Sequence, residues 1–326
     1  MKEKVMVTGG AGFIGSRLIL RLLKEDYQVY VLDVIPLEKA LRLSEVWGNK
    51  NLFYTQGDLR EKEKIENWYQ KDATHIYHLA SVVGVENYIN DPLALIDIVV
   101  GGTRNILELA SKYNTRVLFT STSEIYGKNP KIPWDETFDR VLGPTSIDRW
   151  SYSSSKAVCE HMLFALKKSH NLKFSIIRFF NVYGPSQAPI FVVSKSIYQV
   201  LNNKSPLIYD DGSQTRCFTF IDDAIEGMLK ASRSDEGLSQ IFNIGSNLER
   251  SIKEVVDLII NHSRKNLKTK KFQTNREYGE SYEDIPRRIP QVDKAKKILG
   301  WEAQTDLSEG IRLSIEWAQE NKWWLK

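Results

Sequence analysis

A short apolar run at residues 5–8 ends in Gly9-Gly10-Ala11-Gly12-Phe13-Ile14-Gly15 and passes at once into a helical stretch at 16–25. That succession leaves few folds open. Glycines at 9, 12 and 15 permit a tight turn out of a strand, close approach of a pyrophosphate and close packing of helix on strand. The helix start adds unpaired N–H groups and partial positive charge, which suit a phosphate. Gly9, Gly12, Phe13, Ile14 and Gly15 are therefore candidates for holding a dinucleotide. An ordinary tight turn uses glycines too. Here a strand precedes the motif, a helix follows, and Asp33 closes the next apolar run at the distance a dinucleotide site requires. A carboxylate there hydrogen-bonds a ribose 2′-hydroxyl and repels a 2′-phosphate, so NAD is expected rather than NADP.

Further apolar runs at 29–33, 52–56, 75–79, 117–120 and 174–180 alternate with charged, periodic stretches such as 103–113. Strand–helix alternation with continuously apolar strands implies a parallel sheet covered on both faces. The expected fold is α/β, a Rossmann-type doubly wound parallel sheet over residues 1–181. After Asn181, prolines and the turn Asp210-Asp211-Gly212 punctuate shorter elements, so residues 182–326 are read mainly as a smaller α/β substrate lobe. A strand near 241–244 is expected to return to the main sheet.

Composition narrows the class. A chain of 326 residues with 42% hydrophobic content can bury a substantial core. No apolar stretch approaches the roughly 18 residues of a membrane span, and no secretory signal pattern opens the chain. Cys159 and Cys217 have no partner at ligand or redox spacing. Free thiols and a cytoplasmic location are expected. The net charge of +4 is mild, and its densest run, Arg264, Lys265, Lys268, Lys270 and Lys271, reads as a solvated helix end. Nucleic-acid binding would need a broader basic face with stacking aromatics and is not expected. Nor is a metal site, because the five histidines show no ligand spacing.

Other residues point to chemistry. Asp58 and Leu59 follow the third run, where Asp58 could meet an adenine amino group or merely cap a helix. Leu79, Ala80 and Ser81 end the fourth run, at the edge where such sheets hold ligands. Thr120, Thr122 and Ser123 end the fifth, ahead of Glu124. Tyr152 and Lys156 stand four apart, on one face of a helix. A tyrosine with an ordinary pKa near 10 needs about 4 kcal/mol of preferential phenolate stabilisation to act as a base at pH 7. A neighbouring ammonium and a positive nicotinamide ring could supply it.

With these motifs in this order, the chain resembles the extended short-chain dehydrogenase/reductase family, in its nucleotide-sugar epimerase, dehydratase and decarboxylase branch. The resemblance spans nearly the whole length. It also rests on Arg178-Phe179-Phe180-Asn181-Val182-Tyr183-Gly184-Pro185, Asp211-Gly212-Ser213-Gln214-Thr215-Arg216 and Leu299-Gly300-Trp301. It implies oxidation of a sugar at C4, Thr122 or Ser123 as hydroxyl partner of Tyr152, and Asn181 and Arg216 as nucleotide-sugar contacts. It also implies a homodimer through helices near 103–113 and 152–167.

The fate of the C4 ketone depends on the groups around it. Ser-Thr-Ser-Glu-Ile-Tyr-Gly at 121–127 looks most like the UDP-glucuronate decarboxylases. Arg149-Trp150-Ser151-Tyr152 and the segment Tyr278 to Pro290 resemble the decarboxylase domain of the bifunctional polymyxin-resistance enzyme and UDP-apiose/xylose synthase. From that resemblance Tyr282 and Arg288 line the site. Decarboxylation of a UDP-hexuronate is the leading expectation, with Glu124 steering the carboxylate or relaying protons and Arg288 supplying charge or a proton. Glu124 could instead be a surface carboxylate, and Arg288 a phosphate or surface contact. A 4-epimerase is the runner-up and a 4,6-dehydratase comes next. A regulator without turnover is disfavoured because the Tyr/Lys pair is intact. Residues 184–191 are shorter and more apolar than in a typical decarboxylase, so an N-acetylated uronate stays open as substrate.

Overall fold

The computed structural model describes residues 2–84, 90–272, 285 and 287–326. Its central element is one parallel sheet of seven strands. These are β1 (Lys4–Thr8), β2 (Gln28–Asp33), β3 (Leu52–Gln56), β4 (His75–His78), β5 (Arg116–Thr122), β6 (Phe174–Phe179) and β7 (Ile241–Ile244). They lie in the order β7-β6-β5-β4-β1-β2-β3. The order reverses between β1 and β4, and sheets of this kind hold ligands beyond the strand ends at that reversal.

Both faces of the inner strands are covered, which explains their continuously apolar sequences, whereas β3 at the edge has no buried residue. Helices α1 (Phe13–Lys24), α2 (Lys62–Trp68), α3 (Thr103–Tyr113) and α4 (Arg149–His170) come first. After β6 come α5 (Val192–Leu201), α6 (Ile221–Arg233), α7 (Ile252–Ser263), α8 (Asp293–Leu299) and α9 (Leu307–Glu320). Successive strand side chains point to opposite faces. Val5 and Val7 therefore join Leu18, Leu22, Ile225 and Phe242 in one core. Met6 joins Ile65, Ile106 and Leu163 in the other. Helix α1 starts at Phe13, three residues before the expected 16, because the glycine turn feeds straight into it.

Beyond β6 the chain makes short pairings: Val182–Tyr183 with Thr219–Phe220, Thr215–Cys217 with Glu249–Ser251, and Leu207–Tyr209 with Lys270–Phe272. Helix α7 opens on a capping box between Ser251 and Glu254. In the basic run, Arg264 caps the end of α7 in the left-handed conformation, and Lys270 and Lys271 lie on an exposed strand. Strand β7 pairs with β6, Ile241 opposite Ile176, and forms the edge of the sheet. Among the described residues no helix is long and apolar enough to cross a membrane. Cys159 and Cys217 are buried and free.

Candidate active site

The glycine turn joins β1 to α1. Gly9 has a φ of +74°, and a Cβ on it would lie 2.7 Å from the main-chain nitrogen of Ala80. A Cβ on Gly15 would stand 2.2 Å from the Gly9 carbonyl oxygen. No side chain caps α1 and its first turn carries no acidic residue, so the positive helix end is open to an anion. Phe13 and Ile14 are half-buried in that turn. At the end of β2 the Asp33 carboxylate accepts from the N–H groups of Ala11 (2.8 Å) and Ile35 (2.9 Å). Burial pushes its carboxyl above the ordinary range, and those N–H groups oppose the rise.

Arg60 engages the Asp58 carboxylate at 2.7 Å, and Glu61, not Asp58, occupies the N-cap position of α2, without a side-chain bond to the helix. Leu59 is buried and packs where a side chain on Gly102 would stand. Leu79, Ala80 and Ser81 leave β4 beside the glycine turn, with the Ala80 N–H donating to the Thr8 hydroxyl at 3.3 Å. His78 bridges the hydroxyls of Thr8 (2.7 Å) and Thr103 (2.9 Å). Burial, with Lys156 nearby, pulls its pKa down to about 3, so it is a neutral brace.

The end of β5 carries the reactive groups. The Thr120 hydroxyl donates to the His78 carbonyl, at 3.2 Å. Thr122 accepts from the Glu124 N–H at 3.2 Å and so caps the single turn Ser123–Tyr126. Ser123 is buried in that turn. Tyr152 and Lys156 are both buried on α4. The Lys156 ammonium donates to the Thr120 carbonyl at 2.9 Å and lies 4.8 Å from the centre of the Phe119 ring. Burial pulls it down to about 8.

Glu124 is held by two guanidiniums. One nitrogen of Arg149 contacts both carboxylate oxygens, at 3.3 and 3.2 Å, and Arg288 also donates to Oε1. Burial pushes the Glu124 carboxyl up, but the two cations outweigh it and hold the pKa at about 2. The surface-carboxylate reading therefore fails. Arg288 is itself buried, and its Nε has no hydrogen-bond partner among the described residues.

Glu124, Arg149, Asn181, Arg216 and Arg288 line one cavity of about 340 Å³. Asn181 sits at a φ of +35° with its amide donating to the Cys217 carbonyl at 3.0 Å. Tyr152, Lys156, Thr122 and Ser123 are not among the residues lining the cavity, although Ser123 directly precedes Glu124. Tyr282 lies outside the described residues. Three glycines at an uncapped helix start followed by a buried acidic residue, then Tyr and Lys one turn apart behind a Ser/Thr strand end, decide the kinship.

The chain belongs to the GDP-mannose 4,6 dehydratase family. The model of that family matches residues 6–314. This places the chain among the enzymes of the extended short-chain dehydrogenase/reductases. It is 35% identical to the UDP-N-acetyl-alpha-D-glucosaminuronate decarboxylase of Bacillus cytotoxicus, over 98% of this chain and 99% of that one. It is 33% identical to a putative UDP-glucose 4-epimerase of Methanocaldococcus jannaschii (97% and 99%). With UDP-glucuronic acid decarboxylase 1 of Danio rerio the identity is 31%, over 97% and 72%. Among solved structures, the NAD complex of the Thermus thermophilus UDP-glucose 4-epimerase matches with a TM-score of 0.84 at 28% identity, covering 97% and 99%.

Sequence reasoning assigned no role to Arg149. Its position three residues before Tyr152 on one helix face carries that signal. Gln187, Ile190 and Phe191 in the cavity wall belong to the 184–191 loop already singled out in the sequence, whereas Lys195 and Tyr209 have no motif and become visible only in the fold.

Proposed function

We propose that this enzyme decarboxylates a UDP-hexuronic acid, UDP-glucuronate or an N-acetylated relative, through a 4-keto sugar, giving a UDP-pentose or its 4-keto form. The observation that carries the reading is the ionised Glu124 clasped between Arg149 and Arg288 at the cavity wall. Among the described residues, three guanidiniums, those of Arg149, Arg216 and Arg288, and one carboxylate line the cavity. That excess of positive charge suits a diphosphate and a sugar carboxylate.

The chain uses NAD. Its open helix start and glycine turn, in which a Cβ at 9 or 15 would strike backbone, fit a dinucleotide pyrophosphate. Gly9, Gly12, Phe13, Ile14 and Gly15 would hold the pyrophosphate, Asp33 the adenosine ribose, and Asp58 and Leu59 the adenine. Leu79, Ala80, Ser81 and Thr120 would line the path toward the nicotinamide. Bound there, NAD supplies a hydride acceptor for sugar C4.

The remaining work falls to the chain. Tyr152, with Lys156 as its cation and Thr122 or Ser123 as hydroxyl partner, takes the proton of the C4 hydroxyl. Asn181 and Arg216 hold the nucleotide-sugar. With C4 a ketone, the C5 carboxylate lies β to it. The bond from C5 to the carboxyl carbon breaks, its electrons pass into an enolate whose oxygen Tyr152 hydrogen-bonds, and carbon dioxide leaves. A proton delivered to C5 gives the 4-keto pentose, and return of the hydride to C4 with the Tyr152 proton to its oxygen gives the pentose. Glu124, ionised at working pH, aligns Arg288 rather than donating a proton. Arg288 orients the departing carboxylate, with Tyr282 beside it. Residues 1–181 then serve NAD and 182–326 mainly the substrate, in a cytoplasmic homodimer formed through α3 and α4.

A second reading, 4-epimerisation, has support in the methanogen relative. Mass spectrometry of products from NAD with UDP-glucuronate, UDP-N-acetylglucosaminuronate and UDP-glucose separates the two. Loss of about 44 mass units from a uronate supports decarboxylation. Sugars inverted at C4 with unchanged mass assign an epimerase and overturn the proposal.

A further inference from the structure

Two consecutive carbonyls in the cavity loop 184–191 are gripped by side chains from opposite ends of the chain. Arg42 donates from Nε to the Ser186 carbonyl at 2.8 Å. The Trp324 indole N–H donates to the Gln187 carbonyl, also at 2.8 Å. Between these grips the backbone is unusual, with Ser186 at a φ of +70°. Such a conformation in a residue other than glycine persists only where the surroundings enforce it. Gln187, Ile190 and Phe191 of the same loop line the cavity.

The two anchors differ in what stands behind them. Trp324 packs on Tyr198 of α5 and on Trp317 of α9, all beyond β6. Arg42 lies over the glycine turn. Its Nη1 reaches the Ala11 carbonyl at 3.5 Å, and the Ala11 N–H is bonded to Asp33. Burial disfavours the charge on Arg42, and the Asp33 carboxylate favours it. One side chain thus touches the turn assigned to the dinucleotide and the loop that shapes the substrate cavity.

We propose that Arg42 is a positioning residue that couples the two sites: a dinucleotide on the glycine turn fixes Ala11 and Asp33, Arg42 is fixed with them, and the Ser186 carbonyl and cavity wall are held for the nucleotide-sugar. The inference rests on the site assignment made above. Coupling of this kind is reciprocal, so each ligand must tighten the other by the same factor.

Calorimetric titration of UDP with and without saturating NAD⁺, and of NAD⁺ with and without UDP, measures that factor in both directions. In the wild type each ligand should tighten the other about fivefold or more. Arg42→Gln should bring both factors to about one while its melting temperature stays near that of the wild type. Arg42→Lys, which keeps the charge, should retain part of the coupling. Trp324→Phe should weaken UDP binding yet leave the factor intact, because the hydrogen bond of that anchor joins the loop to the C-terminal elements and not to the glycine turn. Independent binding in the wild type, or an undiminished factor in Arg42→Gln, overturns the proposal. Failure of UDP to bind the wild type at all instead overturns the assignment of the cavity.

Discussion

One guanidinium nitrogen of Arg149 lies within 3.3 Å of both carboxylate oxygens of Glu124, so the helix that carries Tyr152 also holds the acid at the end of β5. A carboxyl depressed to about 2 contributes stability above its ordinary value of 4.5, and that contribution is lost as pH falls between the two. Arg149→Gln removes one cation while burial continues to push Glu124 upward. The acid limb of kcat/KM should then lie at least about one pH unit above that of the wild type. Coincident pH profiles would remove Arg149 from the site's electrostatics.

Lys156 is depressed as well, but for an ammonium the shift is a penalty on the charged form rather than a gain. Its ammonium falls from 10.5 to about 8 through burial, a penalty on the charged form of about 3 kcal/mol. Between those values the folded state binds fewer protons than the unfolded one, so stability rises with pH across the interval. In Lys156→Met that rise should shrink, as urea unfolding at pH 8 and pH 10 would reveal. Turnover should drop by about a hundredfold or more.

Gly15→Ala places a methyl group 2.2 Å from the Gly9 carbonyl oxygen, against backbone that cannot swing aside. The expected cost is about 1–3 kcal/mol of stability and about tenfold or more in NAD affinity. Thermal melting and fluorescence titration read the two effects separately. An alanine that binds NAD normally would show that the turn has room to adjust.

Behind the site, Arg178 on β6 and Glu160 on α4 form a buried pair at 3.0 and 2.7 Å, and Arg178 also donates to the Tyr126 hydroxyl at 3.0 Å. Removing one buried partner strands the other charge. Arg178→Met should therefore cost about 3–5 kcal/mol in chemical denaturation. Replacing Glu160 by Leu in that background should recover part of the loss. No recovery would mean that the other Arg178 contacts carry the stability.

Local patterns made much of this legible in the sequence. The glycine turn, Asp33 and the Tyr152–Lys156 spacing depend on residues a few positions apart, where the periods of helix and strand dictate geometry. The apolar runs translate into strands because a sheet covered on both faces tolerates little else. Asp58 resists such reading, since a carboxylate two residues before Arg60 has a partner of its own. The grip of Arg288 on Glu124 spans 164 positions in sequence; the family resemblance brought both residues to the site but did not pair them. The contact of Arg42 with Ser186 spans 144 and matches no motif.

Strand β7 also constrains synthesis. A ribosome delivers β6 well before its outer neighbour, because residues 180–240 intervene. Until Ile241–Ile244 emerges, Ile176 and Ile177 present an unpaired, apolar edge to solvent. The same core waits still longer for Trp301 and Ile311. Nascent chains halted near residue 240 should therefore be preferred clients of chaperones that bind exposed strand edges, whereas chains released after α9 can bury that edge at once.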